Sequence, residues 1–354
     1  MDTAGAPAEL FRNAAGKTLR LAVTFMIFLP ASTSRSPTTT RRKMKTTILS
    51  SLVLTSTLLL TALAAAESTD YTYTITGNAV TVTGYRGPGG PANIPDTIDG
   101  LPVTRIADRA FFGCTTITSV SMPGTVTHVG DYAFYSCIRL ASVDLPESLT
   151  HIGEGAFSRC TSLTDLKTGD GLANIGDWAF YGCSKLVTTG IGDGVTNIGF
   201  YAFYSCSDLY KITAGRGLNH IGWYAFRECP GLNSMYFEGN APATDTGVFY
   251  DTTNATVYFR PGTKGWGKSF AGLPTVLWNP QIRTDGPLFG VRSNQFGFAI
   301  TGTPDIPIVV EACIRLGRTP WEALQVCTLT NGFLYFSDPT WTNHHSRFYR
   351  IASP

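Results

Sequence analysis

A solenoid of short stacked coils followed by a small all-β module is the fold class this sequence predicts, on two observations. Cysteine recurs every 23 residues at Cys114, Cys137, Cys160, Cys183, Cys206 and Cys229, and phenylalanine keeps the same interval from Phe111 through Phe134, Phe157, Phe180, Phe203 and Phe226 to Phe249. A coil of that length cannot bury its own apolar side, so each must stack on the next, which turns the long faces into surfaces for contact. Beyond residue 285 the interval is lost, and short apolar segments alternate with Gly, Pro and Asn turns.

Taken from the N-terminus, Lys43 and Lys45 precede an uncharged run at 48–63, and Ala62-Leu63-Ala64 or Ala64-Ala65-Ala66 offers small residues at cleavage spacing. Residues 44–66 are expected to be a signal peptide starting at Met44, with 1–43 a non-native upstream extension. A retained single anchor is the alternative and the one route by which the chain would meet a membrane, but the run is short against the ~20 apolar residues that span a bilayer. Beyond residue 66 the chain carries 19 basic against 23 acidic residues, a net charge of −4. A mildly acidic chain with no Lys/Arg cluster, zinc-finger spacing or basic-aromatic stripe is not built to hold nucleic acid.

Residues 67–97 read as an N-terminal β cap, because 71–75 and 79–83 alternate about Gly77-Asn78 as hairpin strands do. The repeats and their C-terminal cap occupy 98–278. In 117–122 and 140–145 the first, fourth and sixth positions are apolar, so Val143 and Leu145 face in while Ser142 and Asp144 face out, the period of a short strand. Pro123 or Pro146 ends that strand. Next come Val129-Gly130, Ile152-Gly153, Ile175-Gly176, Ile198-Gly199 and Ile221-Gly222, whose glycine suits either a corner with positive φ or close approach between coils. Ala133, Phe134 and Cys137 stand at helical spacing and predict a single helical turn, with Asp131, Glu154 or Asp177 beside its exposed amides. At the far end 255–259 is a strand, Pro261-Gly262 a turn, and Trp266 with Phe270 closes the apolar end.

The surface columns carry the functional expectations. On the strand face the outward columns, from Ser119 to Ser234 and from Ser121 to Tyr236, are mostly small, polar and mixed in charge. On the return face Tyr132, Trp178, Tyr201 and Tyr224 share one column, and Phe112, Tyr135, Tyr181, Tyr204 and Tyr250 another. With coils about 4.8 Å apart these rings form a stripe able to stack on sugars or on a partner's apolar side chains, against the plainer reading that they pack between coils. Tyr132, Trp178, Tyr201, Tyr204 and Tyr224 are the candidate ligand contacts. His128, His151 and His220 share a repeat position with Arg105, Asn174 and Asn197, so that column asks for polarity and no metal site is expected. No nucleophile elbow, zinc motif, P-loop or dinucleotide loop occurs, and the carboxylates are too scattered for an acid–base pair, so neither an enzyme nor a cofactor is expected.

The repeat cysteines all point one way and predict a ladder of buried thiols, with disulfides between coils the alternative in an exported chain. Cys313 and Cys327 lie outside the repeat on two predicted strands and form a candidate disulfide that would staple a domain at 285–354. Strands at 296–300, 308–311, 323–326, 333–336 and 347–351 make that domain β-sandwich-like, with Trp321, Trp341, Phe348 and Tyr349 as core residues or, less simply, a glycan cradle.

The pattern L-x-x-V-x-L-P-x-x-L-x-x-I-G-x-x-A-F-x-x-C over residues 98–260 resembles the BspA-type leucine-rich repeat, a bacterial surface and secreted module. The resemblance implies a right-handed leucine-rich-repeat solenoid of parallel β-strands with short helical or irregular returns. Thr189, Ala214 and Thr252 depart from the pattern, the last fitting a terminal coil. The runs F-G-F-x-I-x-G, V-V-E-A-C, W-x-x-L-Q, F-x-D-P and R-F-Y-R-I are similar to a C-terminal module on secreted proteins of Verrucomicrobia-like bacteria, which implies export and attachment but no activity. The expected function is a noncatalytic extracellular or cell-surface binding or adhesion protein, secreted or surface-held and monomeric, whose partner is an extracellular protein or polysaccharide. A structural component of an extracellular matrix or envelope is the alternative.

Overall fold

The computed structural model describes residues 70–317 and 320–354, and two short strands at Leu10–Arg12 and Thr18–Arg20. The expected signal peptide at 44–66 lies outside the described residues. The chain divides into two compact units, one running through the repeats to Val276 and one from Leu277 to Pro354.

Each coil of the first unit contributes two parallel strands. On one face Gly90–Asn93, Ile117–Ser121 and Ser142–Asp144 form a ladder, and Asp165–Lys167, Thr188–Ile191, Lys211–Ala214, Ser234–Phe237 and Thr256–Phe259 form another. Equivalent repeat positions pair directly, as Ser119 with Ser142 and Asp165 with Thr188. On the second face the two-residue strands His128–Val129, His151–Ile152, Asn174–Ile175, Asn197–Ile198, His220–Ile221 and Ala243–Thr244 stack in parallel. They continue into Leu101–Ile106 and the expected hairpin, here Tyr71–Thr76 and Ala79–Tyr85. The sequence pattern predicts one strand per coil. The second is only two residues long, with a polar side chain out and an Ile or Val in, too short to show as alternation.

The helical turn expected in each return does not form. Ala133, Tyr135 and Cys137 donate to carbonyls three residues back in successive tight turns, whereas Tyr132, Phe134 and Ser136 donate to Glu154, Ala156 and Ser158 of the next coil at 2.7–2.8 Å. A continuing helix would use those amides within the coil, so stacking wins by pairing backbone groups along the whole unit. The conserved geometry of the repeat glycine is close approach: a Cβ on Gly176 would lie 2.6 Å from the Gly153 backbone.

The core is a column of rings. Phe111, Phe134, Phe157, Phe180, Phe203, Phe226 and Phe249 stack at successive spacings of 4.6, 5.0, 5.4, 5.2, 5.2 and 5.8 Å. Tyr85 of the cap stacks on Phe111 at 5.3 Å, and Phe270 meets Phe249 edge-on at 6.3 Å. Beside the rings runs a thiol ladder. Sγ of Cys137, Cys160, Cys183, Cys206 and Cys229 each donates over 3.2 Å to the carbonyl of the phenylalanine in the preceding coil. Thr252 continues the series, its hydroxyl 2.8 Å from the Phe226 carbonyl, which explains the departure at the seventh position. All the repeat cysteines are free, and burial pushes the Cys183 and Cys229 thiols up to about 12.

The C-terminal unit is built from two antiparallel sheets. Gln281–Arg283, Gly290–Arg292, Gln295–Thr301 and Phe333–Asp338 form the first, and Pro307–Cys313, Glu322–Thr328 and Phe348–Ala352 the second. Phe296 and Phe298 of the first face Tyr349 of the second at 5.3 and 5.6 Å. The unit begins ahead of residue 285: Trp278 is buried and its Nε1 donates to the Pro307 carbonyl at 3.0 Å. Asp338 of the F-x-D-P run is a buried hub, accepting from the Tyr349 hydroxyl at 2.8 Å and from the Thr340 amide and hydroxyl, with Arg347 Nε 2.8 Å away as an ion-pair partner whose geometry is not that of a hydrogen bond.

The disulfide expected between Cys313 and Cys327 is not formed, and both thiols are free. Their strands do pair, but the register sets Cys327 opposite Ile308, five residues from Cys313. At ~3.4 Å per residue that is about 17 Å along the strand, whereas a disulfide requires Cα atoms within about 7 Å.

Candidate binding surface

The candidate contacts on the return face occupy a strained backbone position. The column Arg109, Tyr132, Gly155, Trp178, Tyr201, Tyr224, Gly247 has φ of 57, 54, 58, 51, 55, 54 and 73°. This is the third residue of a four-residue turn with positive φ, where glycine is the natural choice and a bulky side chain costs about 1–2 kcal/mol. Two coils do use glycine, and there the neighbouring ring moves in: Tyr132 lies where a Cβ of Gly155 would be, and Tyr224 where one of Gly247 would be. The rings thus lean along the stack, half-buried, each with one face on the next coil.

Not all the candidates come together. Trp178, Tyr201 and Tyr224 form a continuous run at 6.0 and 5.3 Å, and Tyr204 joins Tyr201 at 5.4 Å. Tyr132 stands apart beyond Gly155, its hydroxyl donated to Glu154, which together with burial pushes it up to about 12. Tyr204 donates to Glu228, and that bond, with another from Ser205, holds the Glu228 carboxyl below its usual range. Among the C-terminal aromatics, Trp341 and Tyr349 are buried in the core, and Arg350 covers Trp321 at 4.3 Å.

A hollow of about 570 Å³ opens beside this run, lined by Asp177, Asn197, Phe200, Tyr201, His220, Trp223 and Asp245 among others. Two of its three aromatics, Phe200 and Trp223, were not singled out from the sequence, although a signal exists. The position opening each return is acidic in four successive coils, Asp108, Asp131, Glu154 and Asp177, and then becomes Phe200 and Trp223. The acidic residues have a structural task, since Asp108, Asp131 and Asp177 each accept the amide of the next coil at 2.9 Å. Phe200 and Trp223 have no such duty and stand 37 and 57% exposed. Trp178 meets Phe200 edge-on at 4.7 Å. His220 bridges Asn197 at 2.9 Å and Asp245 at 3.2 Å. Burial raises the Asp177 carboxyl above its usual range, nearby Glu154 adding to the effect against the Phe200 amide.

The histidine column is polar surface, as its composition suggests: His128 and His151 lie 5.7 Å apart between ring centres. Among the described residues no group of three or more His, Cys, Asp or Glu is placed to hold a metal.

Such a surface lies on a solenoid of stacked coils joined by parallel strands. Six copies of the BspA type leucine rich repeat region model match residues 93–191 and 129–256. A leucine-rich-repeat protein of T. pallidum is 32% identical over 52% of this chain and 86% of its own, with a TM-score of 0.49. A Bacteroides capillosus leucine-rich-repeat protein is 33% identical over 29% and 80%, with a TM-score of 0.28. A leucine-rich cell surface protein of Faecalibacterium prausnitzii is 23% identical over 59% and 75%, with a TM-score of 0.40. No curated protein matches the chain significantly. Residues 93–256 thus carry the BspA-type leucine-rich repeat.

Proposed function

We propose that this protein acts outside the cell or at its surface as a binding or adhesion protein, attaching through the return face to an extracellular protein or polysaccharide. One observation carries the reading: Trp178, Tyr201 and Tyr224 occupy a positive-φ position in consecutive coils where glycine would be less strained. Strain of this kind persists where another gain offsets it. Intercoil packing supplies part of that gain and rigid aromatic area open to a partner the rest, since such rings lose little conformational freedom on binding. The BspA-type repeats and the similarity to a protein described as a cell surface protein support the location. In this reading the C-terminal unit docks the protein to an envelope or a further subunit.

A glycan and protein array probed with the exported chain tests it. Replacing Trp178 and Tyr201 together with serine is expected to abolish attachment to the ligand the array identifies, while the far-ultraviolet dichroism stays that of the parent. Unchanged attachment by the folded double variant rejects this face.

A further inference from the structure

The chain's own arginines show what the rings of the return face accept. Arg109 lies over Phe112 and Tyr132 at 5.9 and 6.0 Å, Arg159 over Tyr135 at 5.8 Å, and Arg227 over Tyr204, Tyr224 and Tyr250 at 5.7, 5.2 and 4.7 Å. Six rings are thereby covered by guanidinium groups from within the chain. Among the described residues Trp178, Tyr181, Phe200, Tyr201 and Trp223 have none, and all of these but Tyr181 lie in or beside the hollow.

The charge of the hollow points the same way. Asp177 and Asp245 line it at its two ends in coil order, with Phe200 and Trp223 on the coils between, and no Lys or Arg lines it. The carboxylates are incompletely matched: Asp177 receives one amide, and Asp245 one histidine contact. An aromatic face attracts a cation through its quadrupole, and a carboxylate beside it adds a charge-assisted hydrogen bond. A neutral sugar would use the rings but would gain nothing from net negative charge. Between the basic side chains, a guanidinium fits better than an ammonium, because its plane stacks on Trp or Phe while its edge pairs with a carboxylate.

We propose that the hollow at Phe200 and Trp223 binds an arginine side chain of a partner polypeptide, stacked on the exposed rings and paired with Asp177 or Asp245. The inference rests on the return face being the attachment surface and goes further by naming the chemistry of the partner.

The test uses the full exported chain and three soluble probes: a fluorescent Gly-Arg-Gly-Arg-Gly peptide, the same peptide with citrulline for arginine, and cellohexaose. Fluorescence anisotropy is expected to show saturable binding of the arginine peptide that weakens as salt is raised, and at least tenfold weaker binding of the citrulline form. Trp223→Ala keeps the net charge and is expected to weaken arginine-peptide binding at least tenfold, which separates the ring platform from general attraction to an acidic protein. Asp245→Asn is expected to weaken it as well. The proposal is overturned if the parent does not bind the arginine peptide, if Trp223→Ala binds it as well as the parent does, or if citrulline peptide or cellohexaose binds as tightly. Loss of array attachment in the Trp178 and Tyr201 variant alongside no binding of the arginine peptide would retain the face and reject the cation.

Discussion

Two buried positions of the repeat show how a single oxygen or sulfur atom sets the local balance. Cys206 is apolar enough for the core, yet its thiol reaches the Phe180 carbonyl in the coil before it. Thr189, standing where other coils have Val143 or Leu166, is buried with its hydroxyl unpartnered. One substitution type should therefore act in opposite directions at the two sites. Cys206→Val is expected to destabilise by about 1 kcal/mol through the lost hydrogen bond, and Thr189→Val to stabilise by about 1 kcal/mol by removing a desolvated hydroxyl. Urea denaturation midpoints check both signs. The cysteine column was legible in the sequence because a fixed interval reveals a shared direction. Its partner was not, since a carbonyl of another coil has no residue-type signature. Phe200 and Trp223 escaped notice because an aromatic residue in an aromatic-rich repeat looks ordinary until it is seen to replace an acid.

Among the elements, short alternating strands could be read in the C-terminal unit, but register could not. Gln281–Arg283 and Gly290–Arg292 are too short to declare themselves. The expected disulfide failed for the same reason: both cysteines lie on strands that pair, yet the offset between them is set by the whole hairpin. Between the two sheets, beside the ring contacts of Phe296 and Phe298 with Tyr349, lies a buried ion pair. Arg347 and Asp338 are 5 and 3% exposed and lie on or next to strands of different sheets. Removing one member leaves a buried charge unmatched, so Arg347→Met is expected to destabilise this unit by about 3–5 kcal/mol. The solvent-exposed pair Arg283–Asp285 is the comparison, and Arg283→Met should change nothing measurable. Amide exchange along 333–338 and 348–352 reads the difference, accelerating in the first variant only.

For the molecule taken whole, repetition makes small terms add. Burial raises the thiols of Cys160, Cys183, Cys206 and Cys229 above their ordinary value, two of them to about 12. An unfolded thiol ionises near pH 8.5–9. Between that pH and about 12 the unfolded chain has lost protons that the folded chain still holds, so stability is complete below pH 8.5 and declines as pH rises through this window. The urea midpoint is accordingly expected to fall between pH 8 and pH 10.5, and to fall less when Cys183 and Cys206 are both replaced by threonine. A midpoint that does not move over this range would show that the ladder opens to solvent in the folded state.

The direction of the intercoil hydrogen bonds has a mechanical consequence. In the returns, alternate amides of one coil are tied to carbonyls of the next, so a load applied along the stack acts on every boundary between coils at once. A coil that yields exchanges about 4.8 Å of stacked height for 23 residues of chain, on the order of 80 Å when drawn out. Because every boundary carries that load through the same backbone pattern, the first coil to give way lengthens the tether and relaxes the load on its neighbours. Placed between a cell and whatever it holds, the repeat unit would yield by increments under drag and could restack when the drag ceases.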